Sequence, residues 1–254
     1  MHTHLSMDGD ADTREMIKAA AAAGLSEIAI CDHCDLNLME QFPYSPKECF
    51  EDYTAAAAGI DIPVKIGVEM GQQTEFPKLS KEILSFPEYD FVIGSYHCMA
   101  GYPDFSEADY KNYDVPRLYS IYFDGLLDYA KNADFDIMGH LTYPFRYGMR
   151  QGYSLTIADY KEETDEVLKA LIARGKGIEA NTSGLRDKMK ETMPPTYVLK
   201  RYLELGGEFI TVGSDAHFPH HVGVGIKETT QLLKELGFKY VSAFTKRKAE
   251  MKKL

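Results

Sequence analysis

Positive charge is in short supply: 28 Lys and Arg stand against 39 Asp and Glu over 254 residues, a net charge of −11, and the pI is near 5.2. That balance argues against nucleic acid or an anionic membrane surface as the main partner, although local cations can still hold a small anionic substrate. Long apolar runs are missing as well. No stretch approaches a membrane span, the first thirty residues lack the basic-then-apolar order of a signal segment, and "AAAAAGL" belongs to an amphipathic helix. Four cysteines in a chain this large do not suggest a disulfide scaffold, so the expectation is a cytoplasmic protein with reduced thiols. Cys31 and Cys34 in "CDHC" have redox spacing but no helix start, and no second cysteine pair follows to complete a zinc site. Glycine-rich phosphate loops of either common pattern are also absent.

What is present is alternation. Residues 13–23 read as a helix with Asp12 or Thr13 as N-cap and Gly24 as stop. The strand "SEIAIC", a helix over 45–58, the strand "VKIGVEM", a short helix "KLSKEILSF" and the strand "YDFVIGS" follow. A polar, Tyr-rich loop then leads to a helix over 116–131, opened by a proline in its first turn. Beyond it come "FDIMGHL", a helix over 157–174, "KGIEANT", a helix over 194–205, "GEFITVGS" and a helix over 226–236. The end reads as a short strand or turn, "KYVSAF", plus a surface helix on the basic tail. Short apolar strands alternating with helices imply a parallel sheet with right-handed crossovers. A single-domain, closed or nearly closed β/α barrel suits that order, with a doubly wound open sheet as the alternative.

Polar residues collect at the ends of these strands. Asp32 and His33 close the first, Glu69 the second, and His97 follows the third. His140 ends the fourth, Asn181 to Ser183 the fifth, and Asp215 and His217 the sixth, with His2 and His4 in the opening segment. In a β/α barrel those ends meet at one mouth, where active sites lie. Any one histidine could be a turn or core residue, but their recurrence at successive strand ends marks a site. Imidazole and carboxylate together suit zinc, manganese or iron better than calcium or magnesium, and this many ligands imply more than one ion. Glu69 and Asp215 can each bridge two ions through their two oxygens. Such a cluster can generate hydroxide at neutral pH and clamp a phosphoryl group. Arg146 in "GHLTYPFRYG" and Arg186 in "EANTSGLR" supply the forked donor suited to phosphate.

The pieces "HTHLSMDG", "CDH", "GVE", "GSYH", "GHL", "IEANTSGLR" and "GSDAH" occur in that order from residue 2 to 217. Together they resemble the PHP (polymerase and histidinol phosphatase) superfamily, most closely its histidinol-phosphatase branch. The resemblance implies a distorted TIM-like (β/α)7 barrel with a metal site at the C-terminal ends of the strands. It implies a trinuclear centre and hydrolysis of L-histidinol phosphate to L-histidinol and phosphate, a step of histidine biosynthesis. Carried over by position, the metal ligands are His2, Asp8, His33, Glu69, His97, His140, Asp215 and His217, and Arg146 and Arg186 match phosphate-binding positions. Asp215, His217 and Glu69 are the expected catalytic residues. A non-catalytic metal protein would lack the two arginines, and action on another small phosphate ester or a nucleotide is the alternative substrate reading.

The opening segment fits the family in two registers. Taking His2 and His4 as the family's His-x-His makes both ligands and puts Asp10 at the last position. Aligning Thr3, Ser6, Asp8 and Gly9 makes His2 the second histidine of the pair and places the first before Met1. The second register is preferred. It carries the expectation that a strand of roughly five residues precedes the first helix and that Met1 is internal or the edge of a trimmed chain.

Overall fold

A computed structural model describes all 254 residues. In chain order the elements are α1 (Thr13–Ala22), β1 (Ile28–Ile30), β2 (His33–Asp35), α2 (Pro46–Ala57), β3 (Val64–Gly71), α3 (Pro77–Leu84) and β4 (Phe91–Ser95). There follow α4 (Val115–Asn132), β5 (Ile137–Met138), α5 (Tyr143–Arg150), α6 (Lys161–Ala173), β6 (Gly177–Asn181), α7 (Thr196–Glu204) and β7 (Ile210–Gly213). The chain closes with α8 (Ile226–Leu236), β8 (Tyr240–Thr245) and β9 (Lys248–Lys253).

The parallel strands lie in the order β1-β3-β4-β5-β6-β7, and β2 continues the line of β1 beside the far end of β3. The sheet curls as a TIM-like half-barrel without pairing β7 to β1. Parallel strands covered on both faces read as continuous apolar runs, and β4 and β6 are buried along their whole length. Outside the curl, helices pack on the sheet through a core rich in tyrosine, with Tyr53, Tyr110, Tyr119, Tyr122, Tyr129 and Tyr202 fully buried. Inside it, a small cluster of Cys31, Phe91, Ile93, Ile137 and Phe244 fills the lower part, with Phe244 stacked on Phe91 at 5.0 Å between centroids.

Three local features depart from the sequence reading. The tail from Lys248 is a strand, where a surface helix was expected. β8 and β9 form an antiparallel hairpin around Lys246 and Arg247, both with positive φ, as a two-residue turn of the twist-matched kind requires. Tertiary contact holds that conformation, because Asp90 accepts from the backbone nitrogens of both turn residues. The helix anticipated over 157–174 is broken at Tyr160: a 3-10 turn, Ile157–Asp159, precedes α6. The segment Tyr143–Arg150, given no helix in the sequence reading, is α5.

Candidate metal centre

Parallel register sets the site. His33 on β2 pairs with Glu69 on β3, and Glu69 pairs in turn with Ile93 on β4. His97 and His140 lie two residues beyond β4 and β5, and Asp215 two beyond β7. Asp215 adopts φ +49°, a conformation Asp tolerates better than bulkier residues. His2 is delivered by the opening segment: His2 N donates to Ala216 O at 2.9 Å, and the backbone nitrogen and hydroxyl of Thr3 both donate to buried Asp32, which also accepts from the Tyr53 hydroxyl. Asp32 therefore ties the first residues to the sheet, and its place at the strand end serves positioning.

These side chains form one continuous patch. Glu69 Oε1 lies 2.9 Å from His140 Nε2 and 3.1 Å from His97 Nε2, and Glu69 Oε2 lies 3.5 Å from His2 Nε2. His2 Nε2 is also 3.3 Å from Asp215 Oδ1. Asp8 Oδ2 is 2.9 Å from His217 Nε2 and 3.6 Å from His33 Nε2. The rings of His33 and His217 each stack on His2, at 4.4 and 4.2 Å between centroids, and lie 6.0 Å from one another. Two groups have donor atoms close enough to share an ion: His2, Asp8, His33 and His217, and His33, Glu69 and His97. His4 stays outside both, exposed, with Nδ1 3.4 Å from the Thr13 hydroxyl.

Burial and mutual contact polarise the titrations. Burial, with the charges of His33 and His217, lowers His2 to about 4, so its ring is a neutral donor at pH 7. For Glu69 and Asp215 burial pulls upward, but the surrounding imidazoles prevail and hold both carboxyls well below their usual range. Burial opposes protonation of His97, yet Asp35 and Glu69 outweigh it and raise this group well above its ordinary value. Buried polar atoms ordinarily have partners; here His2 Nδ1 and Asp35 Oδ2 have none. Converging imidazole and carboxylate donors with orphaned buried atoms fit a divalent transition metal.

Two arginines adjoin the patch. Arg146, on α5, donates from Nε to Asp187 at 3.0 Å and from Nη1 to Ser183 at 3.2 Å, with Nη1 4.0 Å from Asp215 Oδ2. Arg186, at the end of a 3-10 turn, donates from Nη2 to the backbone oxygens of Ser214 and Asp215. Its Nη1 is buried without a partner.

The sequence reading missed three members of this arrangement. Asp35 accepts from or shares a proton with His97 Nδ1 at 2.9 Å, which aims His97 Nε2 at Glu69; such carboxylate–histidine pairs orient metal ligands. Its signal was its place two residues after His33, on the same face of the strand. A Cβ at Gly71 would overlap Asp35 Oδ1, so that glycine makes room for it. Asp187, next to Arg186 in sequence, holds both Arg146 and Arg150. Tyr143 packs its ring 4.9 Å from both His97 and His140 and donates its hydroxyl to Asp104. The Tyr-rich loop thus reaches the site through Asp104, while Phe105, Tyr110, Tyr119 and Tyr122 belong to the core. Cys31 and Cys34 are both buried, and burial drives both thiols upward, which suits packing rather than redox chemistry.

Residues 1–183 match the family described as PHP domain. The chain is 31% identical over 245 residues to a "Probable histidinol-phosphatase" of Clostridium acetobutylicum, covering 95% of this chain and 94% of that protein. It is 29% identical over 265 residues to a "Histidinol-phosphatase" of Lactococcus lactis, covering 99% and 95%. The crystal structure of a histidinol phosphate phosphatase from Lactococcus lactis, complexed with zinc, L-histidinol and phosphate, superimposes with a TM-score of 0.87 at 28% identity over 98% of this chain and 97% of that one.

Proposed function

The chain belongs to the PHP family, and from that premise we propose that it is a metal-dependent histidinol-phosphatase, hydrolysing L-histidinol phosphate to L-histidinol and phosphate. The observation that carries this reading is a buried guanidinium nitrogen, Arg186 Nη1, without a partner beside a cluster of imidazoles and carboxylates. A dianionic phosphoryl group answers both: it takes the free donor of Arg186 and presents its phosphorus to the cluster. The relatives named for this reaction match over nearly their whole length, which supports L-histidinol phosphate as the ester.

His2, Asp8, His33, Glu69, His97, His140, Asp215 and His217 would hold two to three divalent ions, and His4 is left out because it points elsewhere. Zinc, manganese or iron bound there supplies hydroxide at neutral pH and positive charge for the phosphoryl oxygens. The chain's own part is positioning. Glu69 meets His97 and His140 with one oxygen and His2 with the other, so it can serve two ions at once. Asp187 fixes Arg146, and the backbone oxygens of Ser214 and Asp215 fix Arg186, so two forks face the incoming phosphate with little rotamer freedom left to lose. These guanidinium groups gain most as charge shifts onto the equatorial oxygens in the transition state. We place the enzyme in the cytoplasm, acting on a small phosphorylated substrate with no nucleic-acid partner.

Metal analysis and a panel of phosphate esters test the proposal. The purified protein is expected to carry more than one equivalent of transition metal and to lose activity on chelation. It should recover with zinc or manganese and prefer L-histidinol phosphate. Full activity after complete stripping overturns the metal reading, and faster turnover of another small ester or a nucleotide overturns the substrate.

A further inference from the structure

Helix α5 sets two guanidinium groups side by side. Arg146 and Arg150 stand one helical turn apart, on the same face. Like charges so placed repel one another, and a single carboxylate answers both. Asp187 Oδ2 accepts from Arg146 Nε at 3.0 Å, from Arg150 Nε at 2.9 Å and again from Arg150 Nη2. Its other oxygen accepts from the Lys188 amide at 2.6 Å. Asp187 is buried, while Arg150 is exposed. Burial pulls the Asp187 carboxyl upward, but the hydrogen bonds from Arg150 and Arg146 prevail and hold it below its ordinary value.

The two arginines use Asp187 differently. A guanidinium alone with a carboxylate tends to close on it as a fork, with two parallel bonds. Arg150 gives two nitrogens to Asp187 and sets its guanidinium 4.9 Å from the centre of the Tyr147 ring. Arg146 gives only Nε; its Nη1 points on to Ser183 and lies 4.0 Å from Asp215 Oδ2, at the mouth. Both oxygens of Asp187 are thus taken, and the outer edge of Arg146 is not drawn into a fork. Charge divides the same way. Around this corner three guanidinium groups, with Arg186 the third, face the two carboxylates Asp187 and Asp215 and leave one positive charge over. Without Arg150 the local charges cancel.

We propose that Arg150 is a positioning residue for the hydrolysis: it occupies Asp187, so that this carboxylate holds Arg146 in place without closing a fork on it. The outer nitrogens and the charge of Arg146 then remain for the phosphoryl group. This inference rests on the phosphatase reading, in which Arg146 meets that group. An ordinary exposed ion pair contributes little and touches nothing else. Arg150 differs because its carboxylate is buried and is shared with a second arginine that reaches the mouth. Its effect is also conditional: Arg150 matters to Arg146 only while Asp187 is charged.

The test compares the metal-loaded parent with Arg150→Ala, Arg150→Lys, Asp187→Asn and the double variant Arg150→Ala with Asp187→Asn. Each is titrated calorimetrically with inorganic phosphate and assayed on L-histidinol phosphate. Arg150→Ala is expected to weaken phosphate binding by about tenfold, the scale of one partly screened charge and its bonds, and to lower kcat/KM at least as much. Arg150→Lys, which still brings a cation to Asp187, should recover most of both. In the Asp187→Asn background, where no carboxylate can close on Arg146, Arg150→Ala should change phosphate affinity by less than about threefold. Such dependence of one substitution on the other marks coupled residues, and a packing role for Arg150 would not produce it. If the parent binds phosphate and hydrolyses the ester, the inference is overturned by an Arg150→Ala variant that matches it, by equal losses in both backgrounds, or by no recovery in Arg150→Lys; the phosphatase reading then stands. A parent that neither binds phosphate nor hydrolyses the ester overturns both.

Discussion

At the lower ends of the parallel strands, buried acids are answered by donors. Asp90 accepts from Ile66 N and from Lys246 N, at 3.2 and 3.0 Å. Asp136 accepts from Val92 N at 2.9 Å and from Arg247 Nε and Nη2 at 3.2 and 3.1 Å. At the upper ends the acids meet imidazoles that also crowd one another, and the orphaned polar atoms His2 Nδ1, Asp35 Oδ2 and Arg186 Nη1 all lie there. One floor satisfies itself; the mouth is satisfied only by something that arrives. A folded chain can keep such a mouth because stability is supplied elsewhere, which is why function and stability separate spatially in this architecture.

The sharpest way to break that contrast is Glu69→Gln, which removes the charge shared by His2, His97 and His140. Activity is expected to fall by roughly 10³-fold or more, about 4 kcal/mol at 1.36 kcal/mol per tenfold, while the metal-free protein melts no lower than its parent, since an uncompensated mouth gains from losing charge. A metal-free Tm far below the parent's would make the mouth as structural as the floor. Next in size, Arg186→Ala is expected to lower kcat/KM by roughly 10- to 1000-fold, about 1.4–4 kcal/mol, with metal content and fold retained. Wild-type kinetics in that variant would put the phosphate pocket elsewhere.

The floor should answer in the opposite sense. Arg247→Ala removes the guanidinium held by Asp134 and Asp136, leaving Asp136 only the Val92 amide, and is expected to cost about 1–3 kcal/mol of stability, at about 2–4 °C of Tm per kcal/mol, with kcat unchanged per folded molecule. A loss of kcat without a loss of Tm would erase the distinction. The smallest effect is on pH. Burial raises the Asp134 carboxyl, but the hydrogen bond and charge of Arg247 prevail and hold it below its ordinary value. A depressed carboxyl stabilises the fold above the ordinary carboxylate range and loses that contribution as pH falls through the depressed value. The Tm gap between parent and Arg247→Ala is therefore expected to be constant from neutral pH down to about 5 and to narrow toward pH 3. A gap that widens on acidification would assign Arg247 a different partner.

Much of the mouth was legible because its chemistry sits at fixed places on strands. His33, Glu69, His97, His140 and Asp215 follow apolar runs that can hardly be anything but buried strands, and parallel register then brings them together. The floor was not legible. Nothing in "TKRK" announces a two-residue turn; Lys246 and Arg247 hold positive φ because Asp90 receives their amides, from more than 150 positions earlier in the chain. α5 escaped for a related reason, since Pro144 and Gly148 are poor helix formers and its order comes from burying Phe145 against Tyr119 at 4.2 Å between ring centroids. Asp35 lay in plain view yet shows its purpose only once His97 is beside it.

The hairpin of β8 and β9 also sets a timetable. During synthesis the mouth residues from His2 to His217 emerge before the residues that seal the floor, because Phe244, Lys246 and Arg247 reach back to Phe91, Asp90 and Asp136. Contacts this far apart in sequence are slow to form, and a nascent chain holding an assembled mouth over an unsealed interior exposes Phe91 and Ile93 to solvent and to neighbouring chains. Ribosome-bound chains arrested before residue 240 are thus expected to be cleaved readily by protease and to bind apolar dyes, and release of the last fifteen residues to end both; equal resistance before and after would mean the interior closes without its plug.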